Sequence, residues 1–214
     1  MQTENKYLVA SFFFAAIAIC AVASTLHHSP TLANSSAVEA LPNGTTRAQV
    51  IGKLHQADAQ ARRPYVLVEF GDYQCPPCRA EYGSVKSLVA SSGPQVGFVF
   101  RHYPLMQIHP AAFTAALYTE AARDQGKFGQ MHDLVYSDPA GVAPQALESY
   151  ANRLHLNMAT LHRSVQTTAK TRVRADMSDA LTLKLSGTPT LILCEPDGKV
   201  GLIHFQDLKQ ALPK

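Results

Sequence analysis

Two of the four cysteines in this chain stand three positions apart as Cys75-Pro76-Pro77-Cys78, and their surroundings constrain the fold more than any other feature. The run before them, Tyr65-Val66-Leu67-Val68-Glu69-Phe70, is β-branched and aromatic, is bounded by Pro64 and Gly71, and reads as a buried strand. After them Val85, Leu88 and Val89 keep a helical period until Ser91-Ser92-Gly93-Pro94 stops it. Cysteines three apart at a helix start share one turn, close enough for a disulfide or for a shared metal ion. Cys75 falls at the positive end of the helix dipole, which favours its thiolate, the form that attacks disulfides. Cys78, one turn further in, is more shielded and suits a resolving role.

Rival readings of the pair are weaker. A structural disulfide across so small a loop would remove little chain entropy. Zinc needs two further ligands, and the sequence has no second CxxC. A copper carrier would have to recruit one of the nine histidines, none of which stands at a diagnostic spacing. A CxxC beside a strand–helix unit is a redox signature, so disulfide exchange leads and metal carriage is the alternative.

The wider sequence agrees with a globular chain: 214 residues, 46% hydrophobic and 16% charged. A net charge of +3 without a run of like charges gives no reason to expect a nucleic-acid partner. Near the N-terminus, Tyr7 to Leu26 is uncharged and ends in the small-residue pattern Ala21-Val22-Ala23. Residues 1–23 therefore read as a signal peptide or an N-terminal membrane anchor, with Cys20 an ordinary apolar residue of that segment. Residues 24–45 read as a linker and 46–214 as the folded domain. Export makes an oxidising, extracytoplasmic setting the expected one, and in bacteria that means the periplasm.

Within the domain, Thr45 or Thr46 can cap a helix to about Ala61. Strands are expected at Tyr65–Phe70, Val96–Phe100, Thr190–Cys194 and Val200–Phe205, the last two joined by an Asp197-Gly198 turn. Helices are expected over Pro110–Gln125, Lys127–Ser137, from Pro144, from Asn157 toward Leu185 with one break, and over Asp207–Leu212. This order implies an α/β fold whose mixed sheet is interrupted by a helical insertion between the second and third strands, at about residues 104–186.

The segment Val68-Glu69-Phe70-Gly71-Asp72-Tyr73-Gln74-Cys75-Pro76-Pro77-Cys78 resembles the active-site region of DsbA-like thiol–disulfide oxidoreductases of the thioredoxin superfamily. Gly187-Thr188-Pro189-Thr190 is similar to the family's second motif, and Arg101-His102-Tyr103-Pro104-Leu105, His109-Pro110, Gln125-Gly126-Lys127-Phe128 and Met131-His132-Asp133 are similar to its helical insertion. The resemblance implies a thioredoxin-like fold, with Cys75 as nucleophile, Cys78 as resolving cysteine and Pro189 as a cis-proline packed against them. It gives Thr188 a place in substrate binding through its backbone. Glu69, six residues before Cys75, matches the family's buried acid, and a lone carboxylate in an apolar strand is costly unless it has a task. A raised pKa would let it take the proton of Cys78 as that thiol attacks a mixed disulfide.

The same resemblance implies no metal or organic cofactor. It implies cysteine-containing exported proteins as substrates, with a membrane redox partner that reoxidises or reduces the pair. A dithiol oxidase is the leading expectation and an extracytoplasmic reductase the alternative. Neither Pro76 nor Pro77 carries a backbone N–H, so the Cys75 thiolate is expected to be held less firmly than in a Cys-Pro-His-Cys relative. Cys194 reads as a small buried hydrophobe. His102, His109 and His132 read as packing or hydrogen-bonding residues of the insertion, and Asp72 and Arg79 as solvated charges beside the site.

Overall fold

The computed structural model of the protein describes residues 41–213; the N-terminal segment read as a signal or anchor, and residues 24–40 of the expected linker, lie outside the described residues. Helix α1, Arg47–Ile51, begins at a capping box in which Thr46 and Gln49 exchange hydrogen bonds. It does not continue to Ala61. Gly52 ends it at φ +79°, and a Cβ there would lie 2.5 Å from the Arg101 guanidinium. The chain turns away over that buried arginine, a long-range neighbour that helical periodicity does not register.

Strand β1, Tyr65–Gly71, lies inside the sheet. It pairs in parallel with β2, Val96–His102, placing Glu69 opposite Phe100, and antiparallel with β3, Thr190–Cys194, placing Glu69 opposite Leu191. β3 pairs antiparallel with β4, Val200–Leu202, giving the order β2-β1-β3-β4. A parallel pair needs a long crossover, and α2, Pro76–Ser91, supplies it between β1 and β2. β4 is shorter than the expected Val200–Phe205. Once Ile203 has donated to the Leu191 carbonyl, Phe205–Asp207 winds into a 3-10 turn.

The insertion comprises α3 (Ala112–Arg123), α4 (Phe128–Ser137), α5 (Pro144–Arg153), α6 (Met158–Gln166) and α7 (Thr168–Thr182), all between β2 and β3. The break expected after Asn157 falls at Thr167, whose φ −126° and ψ −93° are not helical. The closing helix, α8, is only Leu208–Ala211.

Strand alternation divides the core into two layers. Val66, Val68 and Phe70 pack with Val50, Ile51, Ala180 and Leu183 on one side of the sheet. Leu67 packs with Val85, Leu191 and Leu208 on the other. Glu69, two residues on, shares the Leu67 face, toward α2. A buried ion network ties α7 and the segment after α1 to β2. Arg101 donates from Nε and Nη2 to Asp176 Oδ1 at 2.9 and 2.7 Å, and Nη2 also meets Asp179 at 2.6 Å. His55 Nε2 lies 2.9 Å from the same Asp176 oxygen, while Asp176 Oδ2 accepts the His102 N–H at 3.0 Å.

Candidate active site

Cys75 is the N-cap of α2, with extended backbone at φ −65° and ψ 120°, and Pro76 and Pro77 fill the first two helical positions. Proline is tolerated there because those N–H groups would have no intrahelical acceptor. Cys78 is fully buried beneath it, and both thiols are free. Across the sheet edge the Thr188–Pro189 peptide is cis, and Cys75 Sγ donates to the Thr188 carbonyl at 3.1 Å.

These neighbours bring the Cys75 thiol down to about 6. The Cys78 thiol, donating to the Cys75 sulfur, contributes most; the Thr188 hydroxyl and the Cys78 backbone N–H add to it against the opposing effect of burial. With prolines at 76 and 77, the Cys78 N–H is the first backbone donor after Cys75. The same thiol–thiol bond, then burial, drives the Cys78 pKa far upward. One sulfur is thus prepared as thiolate and the other kept as thiol.

Glu69 is 5% exposed and faces this pair from β1. Burial, then repulsion from Glu81 and Cys75, pushes its carboxyl up to about 8. It is therefore a neutral acid at pH 7, with no hydrogen bond among the described residues offsetting the shift.

Asp72 and Arg79 are not the solvated charges expected. Asp72 is 1% exposed. Its Oδ1 accepts the N–H groups of Gln74 (2.7 Å) and Cys75 (3.2 Å), and its Oδ2 accepts the Leu105 N–H and meets His109 Nδ1, both at 2.8 Å. It stitches the cysteine loop to the segment after β2, and its charge opposes ionisation of Cys75. An Asx turn, Asp72 to Gln74, is a sequence signal that could have exposed this role. Arg79 turns inward to the carbonyls of Tyr73 and Val135 at 3.3 Å and of Asp138 at 2.9 Å. It thereby satisfies the C-terminal end of α4, where a cation is favoured.

Tyr73 and Gln74 were not singled out in the sequence. Tyr73 is 1% exposed, packs its ring at a tilt against Phe100 and Tyr136, and places its hydroxyl 2.9 Å from His132 Nδ1. Gln74 accepts the Ala111 N–H at 2.5 Å, at the entrance to α3. The histidines pack and bond as expected, although His102 sits on β2 itself, 3.1 Å from Glu120. Cys194 is a fully buried core residue whose thiol burial raises to about 11. No group of three or more metal-ligating side chains occurs among the described residues.

A four-stranded mixed sheet with a strand-to-helix CxxC opposite a cis-proline loop is the thioredoxin architecture, here in the DsbA-like form with helices inserted after the second strand. The sequence profile of the thioredoxin family matches residues 50–212. The chain belongs to that family. A thioredoxin-like oxidoreductase from Silicibacter pomeroyi DSS-3 superposes with a TM-score of 0.60 at 26% identity, over 71% of this chain and 86% of that one. Pseudomonas aeruginosa DsbA2 gives 0.57 at 23% identity, over 68% and 83%. Oxidised BdbD from Bacillus subtilis gives 0.56 at 20%, over 70% and 84%.

Among curated relatives, Na(+)/H(+) antiporter NhaA 1 of Salinispora arenicola (strain CNS-205) is 35% identical over 131 residues, 61% of this chain but 20% of the antiporter. NhaA 1 of Mycobacterium sp. (strain KMS) is 34% identical over 133 residues, 61% of this chain and 22% of that protein. The chain thus spans about a fifth of the length of these antiporters. No helix among the described residues is long and apolar enough to cross a membrane.

Proposed function

We propose that the protein is an extracytoplasmic, periplasmic dithiol oxidase that passes disulfides to cysteine-containing exported proteins through Cys75 and Cys78. The observation that carries this reading is the asymmetry of the two thiols, with Cys75 at about 6 and Cys78 driven upward. A stabilised Cys75 thiolate favours the reduced pair over its disulfide, so the disulfide form is the oxidising one.

In the reaction a substrate thiolate attacks Cys75 Sγ of the disulfide. The Cys75–Cys78 bond breaks, a substrate–Cys75 bond forms, and Cys78 leaves as thiolate and takes the proton that Glu69 holds. A second substrate thiolate then attacks the substrate sulfur of the mixed disulfide and releases Cys75 as thiolate. Two electrons have moved from the substrate dithiol to the pair, and a membrane redox partner of disulfide or quinone chemistry accepts them. In the reverse sense Glu69 takes the Cys78 proton as that thiol attacks the mixed disulfide. Thr188 and cis-Pro189 frame the substrate strand beside Cys75. No metal or organic cofactor takes part.

Cys75→Ser should abolish both oxidation of a reduced peptide and reduction of insulin, whereas Cys78→Ser should accumulate mixed disulfides. Full activity in Cys75→Ser would end the enzyme reading. The direction of flow is tested by the reduction potential of the pair: a value above that of glutathione supports the oxidase, and one well below it supports a reductase.

A further inference from the structure

On the α2 face of the sheet, away from the thiol surface, lies a cavity of about 540 Å³. Its walls are largely apolar: Tyr82, Val85 and Val89 of α2, Phe98 and Phe100 of β2, and Phe128 of α4. That volume falls within the range of about 300–1,000 Å³ typical of small-molecule sites. Glu69 lines it, buried and with no side-chain hydrogen-bond partner among the described residues.

The charged groups around the cavity are matched to one another. Lys86 pairs with Asp133 at 2.6 Å. Arg123 pairs with Asp58 at 3.3 Å and Glu120 at 2.9 Å while lying 3.8 Å from the Phe128 ring centroid. His132 is held neutral by burial, and Glu81 and the Cys75 thiolate act on Glu69 only as like charges. Among the described residues no cation around the cavity is left over to receive an anionic ligand, and a second carboxylate would be repelled. The chemistry that remains is that of a neutral acid, which presents one O–H donor and one C=O acceptor side by side. An amide presents their complement.

We propose that this cavity binds a small neutral aromatic amide, a carboxamide or lactam of about two rings. Its rings lie among the phenylalanines and its amide exchanges two hydrogen bonds with Glu69. The site shares Glu69 with the disulfide chemistry but does not require that chemistry to be correct. Ionised Glu69 loses its donor and leaves two acceptors facing the amide carbonyl, so occupancy and proton release oppose each other. A bound amide would hold Glu69 protonated and slow whatever step needs it as a base.

The probe is 2-naphthamide, titrated calorimetrically into the full chain. Saturable one-to-one binding is expected at pH 6.5, weakened about tenfold or more at pH 9.5, the equivalent of one lost hydrogen bond. Glu69→Gln keeps a donor and an acceptor without ionising, and should bind alike at both pH values. Gly129 borders the cavity in α4, and a Cβ built on it meets nothing within 4 Å. Gly129→Leu should therefore fold, keep thiol exchange and lose the ligand. The double variant Cys75→Ser/Cys78→Ser, inactive in exchange, should bind as the parent does. Absence of saturable binding to the parent overturns the proposal. So does binding that Gly129→Leu leaves intact, or binding that the double cysteine variant loses.

Discussion

Glu69 and Glu120 are carboxylates of the same residue type, both buried, and they sit in opposite protonation states. Glu120, on α3, lies 3.1 Å from His102 and 2.9 Å from Arg123. Burial alone would raise it, but the bond to His102, then the charges of His102 and Arg123, hold it down at about 2. Asp176 is treated alike by His55 and Arg101. Glu69, on β1, has the same burial and no such partners, and rises to about 8. Desolvation is common to all three; the partner decides which form the fold keeps. The paired acids fasten helices to β2, whereas the unpaired one remains able to exchange a proton beside the cysteines.

The strongest way to break this comparison is to strip a partner from the paired side. Asp176→Ala strips the buried Arg101 guanidinium of its fully buried partner, leaving it only the partly exposed Asp179, and should cost about 3–5 kcal/mol in urea unfolding at pH 7. A loss under about 1 kcal/mol would mean that solvent reaches the network.

Next comes the slope of stability with pH on the unpaired side. Between 4.5 and about 8 folded Glu69 keeps a proton that the unfolded chain has released. Its contribution therefore falls as pH rises through that window, by roughly 5 kcal/mol in all at about 1.4 kcal/mol per tenfold, and is constant above it. Glu69→Gln should erase that decline, so that the variant gains on the parent steadily between pH 5 and pH 8.

Glu120→Gln should act in the opposite sense. Glu120 stabilises the fold above its ordinary value of 4.5, and that contribution disappears as pH falls toward about 2. The variant should be weaker by roughly 3 kcal/mol at pH 7 and equal to the parent near pH 2. Parallel curves for Glu69→Gln and Glu120→Gln would overturn the contrast.

The smallest effect concerns sulfur. Cys194, buried without a partner that stabilises its thiolate, should react with iodoacetamide only as pH nears 11, while Cys75 should be half-reactive near 6. Cys194→Ala should cost only about 1 kcal/mol, the removal of one small core group, and leave the Cys75 titration unmoved.

Much of the fold could be read from short-range chemistry. Tyr65–Gly71 and Val96–His102 announce themselves through β-branched and aromatic runs, and Pro76, Pro144 and Asn157 mark helix starts that the chain uses. The misreadings share a cause. Gly52 stops α1 because Arg101, far along the chain, occupies the space beside it. Asp72 looked solvated because its partners Leu105 and His109 lie more than thirty residues away. Tyr73 and Gln74 gave no signal because their roles depend on His132 and Ala111, contributed by the insertion.

The order of residues is enough to specify the strand-to-helix CxxC, the two backbone donors missing between its cysteines, and the presence of one carboxylate in an apolar strand. Those follow from residue identity and local periodicity, which act over a few bonds. Tertiary structure alone decided that Thr188 meets Cys75, that Glu69 is left unpaired while Glu120 and Asp176 are matched, and that a cavity opens beside the unpaired acid. Protonation and reactivity depend on distance and solvent exclusion between groups far apart in the chain, and only the folded packing sets those.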